Sequence, residues 1–157
     1  EYFLPQLIAS AETMKIGLSR LEPHLRDSAS SRDRKGRILI ATVQGDIHDI
    51  GKNIVALMLG NQGFDVIDLG KDVPTKRIIA ESKRLNPQVI ALSALMTTTM
   101  VTMKEVLAAA RRNGVECPFM IGGAVVTESY AAEIGAHYAR DGVEAVRVAE
   151  MLVETSR

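Results

Sequence analysis

Apolar residues along this chain fall into two alternating patterns: short β-branched runs, and longer stretches in which apolar positions recur three or four apart. The first pattern marks buried strands and the second marks helices packed by one face. The run Arg37-Ile-Leu-Ile-Ala-Thr-Val43 is predicted as a buried parallel strand. Residues 52–60, apolar at 54, 55, 57, 58 and 59, are predicted as the helix that follows. A second strand is predicted over Phe64–Leu69, then a turn over Gly70–Pro74 and a helix to Leu85, with Pro74 suited to its first turn. The third strand is expected at Gln88–Ser93, followed by a Thr-rich loop and a helix from Thr99 to Arg112. A fourth strand, Cys117–Ile121, is closed by Gly122-Gly123. Beyond it come a helix from near Thr127, a short fifth strand at His137–Ala139, and a last helix carrying Val143, Val146, Val148, Met151 and Leu152.

Strands alternating with helices imply an α/β fold: a Rossmann-like or flavodoxin-like, doubly wound, five-stranded parallel sheet with right-handed crossovers. In the common order 2-1-3-4-5, the switch point lies between strands 1 and 3, where open sheets of this kind bind ligands. The loops Gly45–Gly51, Ser93–Thr99 and Gly122-Gly123 then converge on one crevice.

Upstream, Leu4, Leu7, Ile8, Ala11, Met14, Leu18, Leu21 and Leu25 recur at helical spacing, so residues 2–25 are predicted as an amphipathic helix with one buried stripe. Residues 26–36 lack periodicity and read as a linker. The chain opens on Glu1 directly before helix-like sequence, which suggests a piece of a longer protein.

Composition narrows the function. The formal charge is zero, and no basic block with interleaved aromatics is present to follow a nucleic-acid backbone. No run is long enough for a membrane helix and no signal peptide opens the chain, so a cytoplasmic protein is expected. Cys117 is the only cysteine, so no internal disulfide can form, and its apolar setting suggests a packed thiol.

The chemistry concentrates in Gly45-Asp-Ile-His-Asp-Ile-Gly-Lys-Asn53. A phosphate-binding P-loop needs four residues between its glycines and a hydroxyl residue after the Lys. Here Gly45 and Gly51 enclose five, and Asn53 follows Lys52. The dinucleotide pattern G-x-G-x-x-G is absent too. What remains is an imidazole, His48, with a carboxylate, Asp46, two residues before it. Such a pair suits a metal ligand whose tautomer is fixed by a carboxylate partner, while a surface histidine in a polar turn is the plain alternative. One histidine cannot build a zinc site, so any metal must arrive with most of its ligands supplied. Ser93, Thr97, Thr98 and Thr99 offer hydroxyls that can bond a ligand or Asp46. Gly122 and Gly123 either let a ligand lie against bare backbone or make a sharp turn.

Asp46-x-His48-x-x-Gly51, then Ser93-x-Leu95, then Gly122-Gly123, each after its own strand, resemble the fingerprint of cobalamin-binding domains, and the resemblance covers residues 36–157. The stretch from Phe3-Leu-Pro-Gln6 to Leu25-Arg26 resembles the last helix of the helical cap that precedes this domain in methyl-transferring corrinoid proteins. The resemblance divides the chain into residues 1–25 as the end of a truncated cap, 26–36 as linker and 37–157 as the cobalamin-binding domain. It implies a corrin whose cobalt takes His48 as lower axial ligand, in place of the cofactor's own base, with the nucleotide tail threaded into the crevice. Asp46 would hold His48, and Thr99, where the family usually has Ser, would hold Asp46. Gly45, Asp46, Ile47, His48, Asp49, Gly51, Ser93, Leu95, Thr97, Gly122, Gly123 and the backbone around Asp141 would meet the cofactor.

Carbon-skeleton mutases of this family carry Gly and Arg where this chain has Ile47 and Ile50, so the motif resembles the methyltransferase branch. Ile67–Pro74 and Leu92–Thr99 resemble methionine synthases most, with stand-alone corrinoid methyl carriers of methanol, methylamine or O-demethylase systems as the alternative and a cobalamin-based sensor third. The implied mechanism is a shuttle in which cobalt(I) takes a methyl group and methyl-cobalt(III) passes it to a thiolate such as homocysteine. The partners would be methyl-donor and methyl-acceptor methyltransferase domains or subunits and a reductive activation partner, with no nucleic acid and no membrane. A fragment of this size would carry the cofactor without turnover of its own. Leu4 and Leu7 match cap positions that shield the methyl face. Met96, Met100 and Met103 are expected as core filling rather than cofactor contacts, and His24 and His137 as surface or packing residues. A phosphoacceptor receiver domain would need an Asp where Ser93 stands.

Overall fold

The structure is a computed structural model. It describes residues 35–155 without a break and, upstream, the helical positions 6, 9, 10, 12–14, 16, 17 and 19–21. Five parallel strands form one sheet in the order β2-β1-β3-β4-β5: β1 Arg37–Thr42, β2 Asp65–Asp68, β3 Val89–Ser93, β4 Phe119–Gly122 and β5 His137–Tyr138. The helices between and after them are α1 Ile50–Asn61, α2 Thr75–Leu85, α3 Thr97–Arg112, α4 Glu128–Ile134 and α5 Gly142–Thr155. The order places the switch point between β1 and β3, as expected from the common order of such sheets.

Strand period two explains the layers. Leu39, Ala41 and Val43 join Ile90, Leu92, Phe119 and Ile121 in a core covered by α2, α3 and α4 through Ile78, Met103, Val106 and Ile134. Ile38 and Ile40 face the other way. With Val89, Ala91 and Met120 they pack against α1 and α5 through Leu59, Ala145, Ala149 and Leu152. Register aligns rows of side chains across the sheet: Ile40 pairs with Ala91, which pairs with Met120, and one row up Thr42 pairs with Ser93, which pairs with Gly122.

Several boundaries differ from expectation. α3 begins at Thr97, so the threonines form the first helical turn, closed by Met100 N–H to Met96 O at 2.9 Å. Threonine is a modest helix former, but the buried Thr99 is fixed here by a tertiary hydrogen bond that overrides propensity. β4 runs from Phe119 through Gly122, leaving Cys117 half-buried ahead of it, because Pro118 has no N–H to give the ladder. The buried stripe of α5 is Ala145, Ala149, Leu152 and Val153, whereas Val143 and Met151 are exposed. Met103 is fully buried and Met100 packs on the same core, which fits their expected role as filling.

On the upstream helix, Met14 and Leu21, expected in a buried stripe, are 52% and 54% exposed, because among the described residues nothing covers that face. Leu4, Leu7, Ile8, Ala11, Leu18, His24, Leu25 and most of the linker lie outside the described residues. Lys35 and Gly36, assigned to the linker, already belong to the sheet domain: Lys35 N–H donates to Gly63 O at 3.1 Å and Asp65 N–H to Gly36 O at 2.8 Å. Among the described residues no helix is long and apolar enough to cross a membrane.

Candidate functional site

β1 ends at Thr42 and the chain turns at once. Asp46 N–H donates to Val43 O at 3.1 Å, Gly45 takes a left-handed φ of 85°, and its N–H is held by Asp72 Oδ1 at 2.7 Å. This turn drives the Asp46 side chain inward until it is fully buried. Its two oxygens have separate duties. Oδ1 accepts the backbone N–H of His48 at 3.0 Å and lies 2.8 Å from the ring Nδ1 of His48. Oδ2 accepts the N–H of Leu95 at 2.7 Å, the N–H of Met96 at 3.3 Å and the Thr99 hydroxyl at 2.6 Å. Burial pushes the carboxyl pKa up. The donors, with the Thr99 hydroxyl first among them, outweigh burial and hold the group well below the usual carboxylate range.

An ionised Asp46 only accepts, so Nδ1 of His48 carries its proton toward Asp46, and in the neutral ring that tautomer leaves the lone pair on Nε2. The imidazole is 45% exposed and lines a crevice of about 920 Å³ that opens between the sheet edge and helices α1 and α5. Ile47, 63% exposed, and Leu95, 41% exposed, line the same crevice and add apolar surface beside His48. Deeper in, the walls are Ile40, Val55, Ala91, Met120, Ala139 and Ala145.

The structure brings together most of the residues singled out in the sequence. Ile47, His48, Asp49, Gly51, Ser93, Leu95, Gly122, Gly123 and Asp141 all line the crevice. Asp46 and Thr99 stand behind His48 rather than in the crevice, and Gly45 shapes the turn. Thr97 is an exception: it is exposed on the first turn of α3 and does not line the crevice, because that turn presents Thr99 inward. Gly122 and Gly123 sit where neighbouring backbone comes close. A Cβ at Gly123, whose φ is 132°, would lie 1.9 Å from Ala94 O, and one at Gly122 would lie 2.6 Å from Ala139 O, so the pair lets neighbouring loops approach while still facing the crevice.

Sequence reasoning missed Lys52 and Asp68. Lys52 opens onto the crevice from α1, yet its side chain is 1% exposed. Its ammonium is committed to Asp68 Oδ2 and, at 2.6 Å, to Asn53 Oδ1. A lysine at a helix start reads as solvated, and only the fold brings the end of β2 beside it. The apolar wall was also missed, since small and apolar strand residues signal core, not a site. Among the described residues no group of three or more His, Cys, Asp or Glu side chains could hold a metal ion, so His48 offers one ligand. The residues present fit a metal that brings an equatorial ligand ring: one free imidazole nitrogen, apolar flanks and a deep crevice beside it.

Comparison with known proteins agrees with this geometry. The family described as B12 binding domain matches residues 36–149. The chain is 45% identical over 136 residues to trimethylamine corrinoid protein 1 of Methanosarcina mazei, a match covering 85% of this chain and 63% of that protein's length. It superposes on the structure of the Methanosarcina barkeri monomethylamine corrinoid protein with a TM-score of 0.85 at 34% identity, covering 97% of this chain and 73% of the other. It likewise superposes on a chain of the methanol:cobalamin methyltransferase complex of Methanosarcina barkeri with a TM-score of 0.75 at 33% identity, covering 98% of this chain and 58% of the other.

Proposed function

This chain belongs to the B12-binding domain family and takes a corrinoid cofactor, and from that premise we propose that it is the cofactor-carrying part of a corrinoid methyl carrier in which His48 ligates cobalt. When bound, the corrinoid supplies a cobalt centre that accepts and gives up a methyl group. The stand-alone carrier of a methylamine or methanol system is preferred to a methionine synthase module, because several of the relatives are methylamine corrinoid proteins. The chain's methyltransferase partners, its methyl donor and acceptor, and a reductive activation partner belong to the same proposal.

One observation carries the reading: Nδ1 of His48 is held by a fully buried carboxylate while the ring lines a large apolar crevice. Asp46 fixes the ring's tautomer and orientation, so Nε2 would be the nitrogen offered to the metal. Thr99, Leu95 and Met96 keep Asp46 from following the ring. Ile47 and Leu95 would help hold the corrinoid and keep water from the His48 nitrogen, and Ser93, Gly122, Gly123 and Asp141 would meet the tail. The upstream helix would be the end of a cap, a reading supported by Glu12, which lines the crevice.

The test is reconstitution with methylcobalamin and with hydroxocobalamin, followed by absorption spectra of the wild type and His48→Ala. Stable binding with a spectral shift on substitution is expected. No retained corrinoid in the wild type would overturn the cofactor reading. Retention with identical spectra would overturn the role of His48 alone.

A further inference from the structure

The crevice changes character over a single row of side chains. Ser93 and Gly122 pair at the ends of β3 and β4, and below them Ile40, Ala91 and Met120 stand side by side across three strands, facing α1 and α5. Two strand residues correspond to about 7 Å of depth, the span of a flat one- or two-ring group. At the upper level a hydroxyl is available: Ser93 lines the crevice and is only partly buried. At the lower level every wall is hydrocarbon or thioether, and Ile40, Ala91, Met120, Ala139 and Ala145 are each buried to 6% exposure or less. Among the described residues the sole buried polar side chain on the lining is Lys52, and Asp68 and Asn53 hold its ammonium.

We propose that this lower chamber selects the terminal base of the corrinoid's nucleotide tail by polarity, accepting phenolic and benzimidazole bases and rejecting purines. The inference rests on the reading that the crevice takes a corrinoid tail. A base that leaves cobalt, displaced by His48, must be housed elsewhere, and the lower chamber has the depth for it. A cresol-type base is apolar to its tip. An adenine carries an exocyclic amine and ring nitrogens that would be stripped of water with no partner on Ile40, Ala91 or Met120. Each buried polar group left unpaired weakens binding by about 10-fold or more. The specificity is set by what the row of strand residues withholds.

The test measures equilibrium binding of four corrinoids to the 157-residue chain: cresol-tailed, dimethylbenzimidazole-tailed, adenine-tailed, and cobinamide, which has no tail base. The expected order is cresol-tailed tightest, then benzimidazole-tailed, which leaves a single ring nitrogen unpaired, with the adenine-tailed form at least about 10-fold weaker than the benzimidazole-tailed one. Met120→Gln, which places an amide on the chamber wall, should narrow the gap between the adenine and benzimidazole forms, and unchanged cobinamide binding would show that the variant is folded. Equal affinity for adenine and benzimidazole tails, or for cobinamide and cobalamin, overturns the selectivity and leaves the cofactor reading standing. Failure of all four to bind overturns the cofactor reading itself.

Discussion

The Thr99 hydroxyl donates to Asp46 Oδ2 across 2.6 Å, tying the first turn of α3 to the loop after β1 although 53 residues separate the two. Both groups are buried, so neither can turn to water if the other is lost. Thr99→Val keeps the shape and removes the donor, and should cost about 1–2 kcal/mol. Thr99→Ser should recover at least half of that. Urea denaturation of the three proteins checks it, and a Val variant as stable as the wild type would show the bond to be idle.

Acid should attack the same carboxylate. Asp46 is depressed in the folded chain, whereas in the unfolded chain it titrates near the ordinary value of about 3.9. The unfolded state therefore binds the proton first. Stability from Asp46 is present in full above the unfolded pKa and is lost as pH falls toward the folded one. Asp46→Asn should be less stable by about 2–3 kcal/mol at pH 7 and should lose less stability than wild type on going from pH 5 to pH 3. Parallel pH profiles for the two proteins would contradict this.

The Lys52–Asp68 pair should respond unequally to its two deletions. Asp68 is 36% exposed and can rehydrate if Lys52 leaves, but Lys52 is 1% exposed and cannot. Lys52→Met should cost no more than about 1 kcal/mol, since it trades a buried charge for an apolar chain of similar length. Asp68→Ala strands an ammonium and should cost about 3 kcal/mol. Unfolding midpoints rank the pair, and the reverse ranking would sink the argument.

Two glycines should behave oppositely. Gly123→Ala forces a Cβ into Ala94 O at a backbone angle that L residues avoid, so more than about 2 kcal/mol should be lost. Gly60 lies inside α1, and a methyl group added there would meet nothing within 4 Å, so Gly60→Ala should gain about 0.5–1 kcal/mol. Thermal melts of both variants measure the difference in sign.

Burial pushes the Cys117 thiol up to about 11 from 9.0. At pH 8 the folded chain should react with iodoacetamide roughly 100-fold more slowly than a free thiol of ordinary pKa, because it holds that much less thiolate. Stability linked to this group is complete below about pH 9 and declines as pH rises toward 11. Alkylation at the rate of the unfolded chain would show that the thiol is not shielded.

Much of this molecule was legible in its residues. Arg37–Thr42 announced a buried strand by β-branching, the repetition of strand and helix implied the layer arrangement, and the strand order is the common one for such sheets. Asp46 and His48 could be paired because they are two residues apart in one loop. Thr99 was one of four hydroxyl residues on a converging loop that could reach Asp46, and the family resemblance singled it out. The start of α3 was misplaced since threonines read locally as loop, and a distant carboxylate decides otherwise. Lys52 with Asp68, and the row Ile40, Ala91 and Met120, were invisible for a common reason: they exist as sets only after β2, β1, β3 and β4 lie side by side.

The hydrocarbon wall of the crevice is made of the same side chains that hold α1 and α5 to the sheet. Whatever occupies that space becomes interior material, touching residues whose main task is cohesion. Cofactor loading and resistance to heat should therefore rise together, by about 2.7 kcal/mol at a hundredfold excess over the dissociation constant. Such a carrier would be hardiest when charged with its cargo, and a degradative protease would distinguish loaded molecules from empty ones without reading a single surface residue.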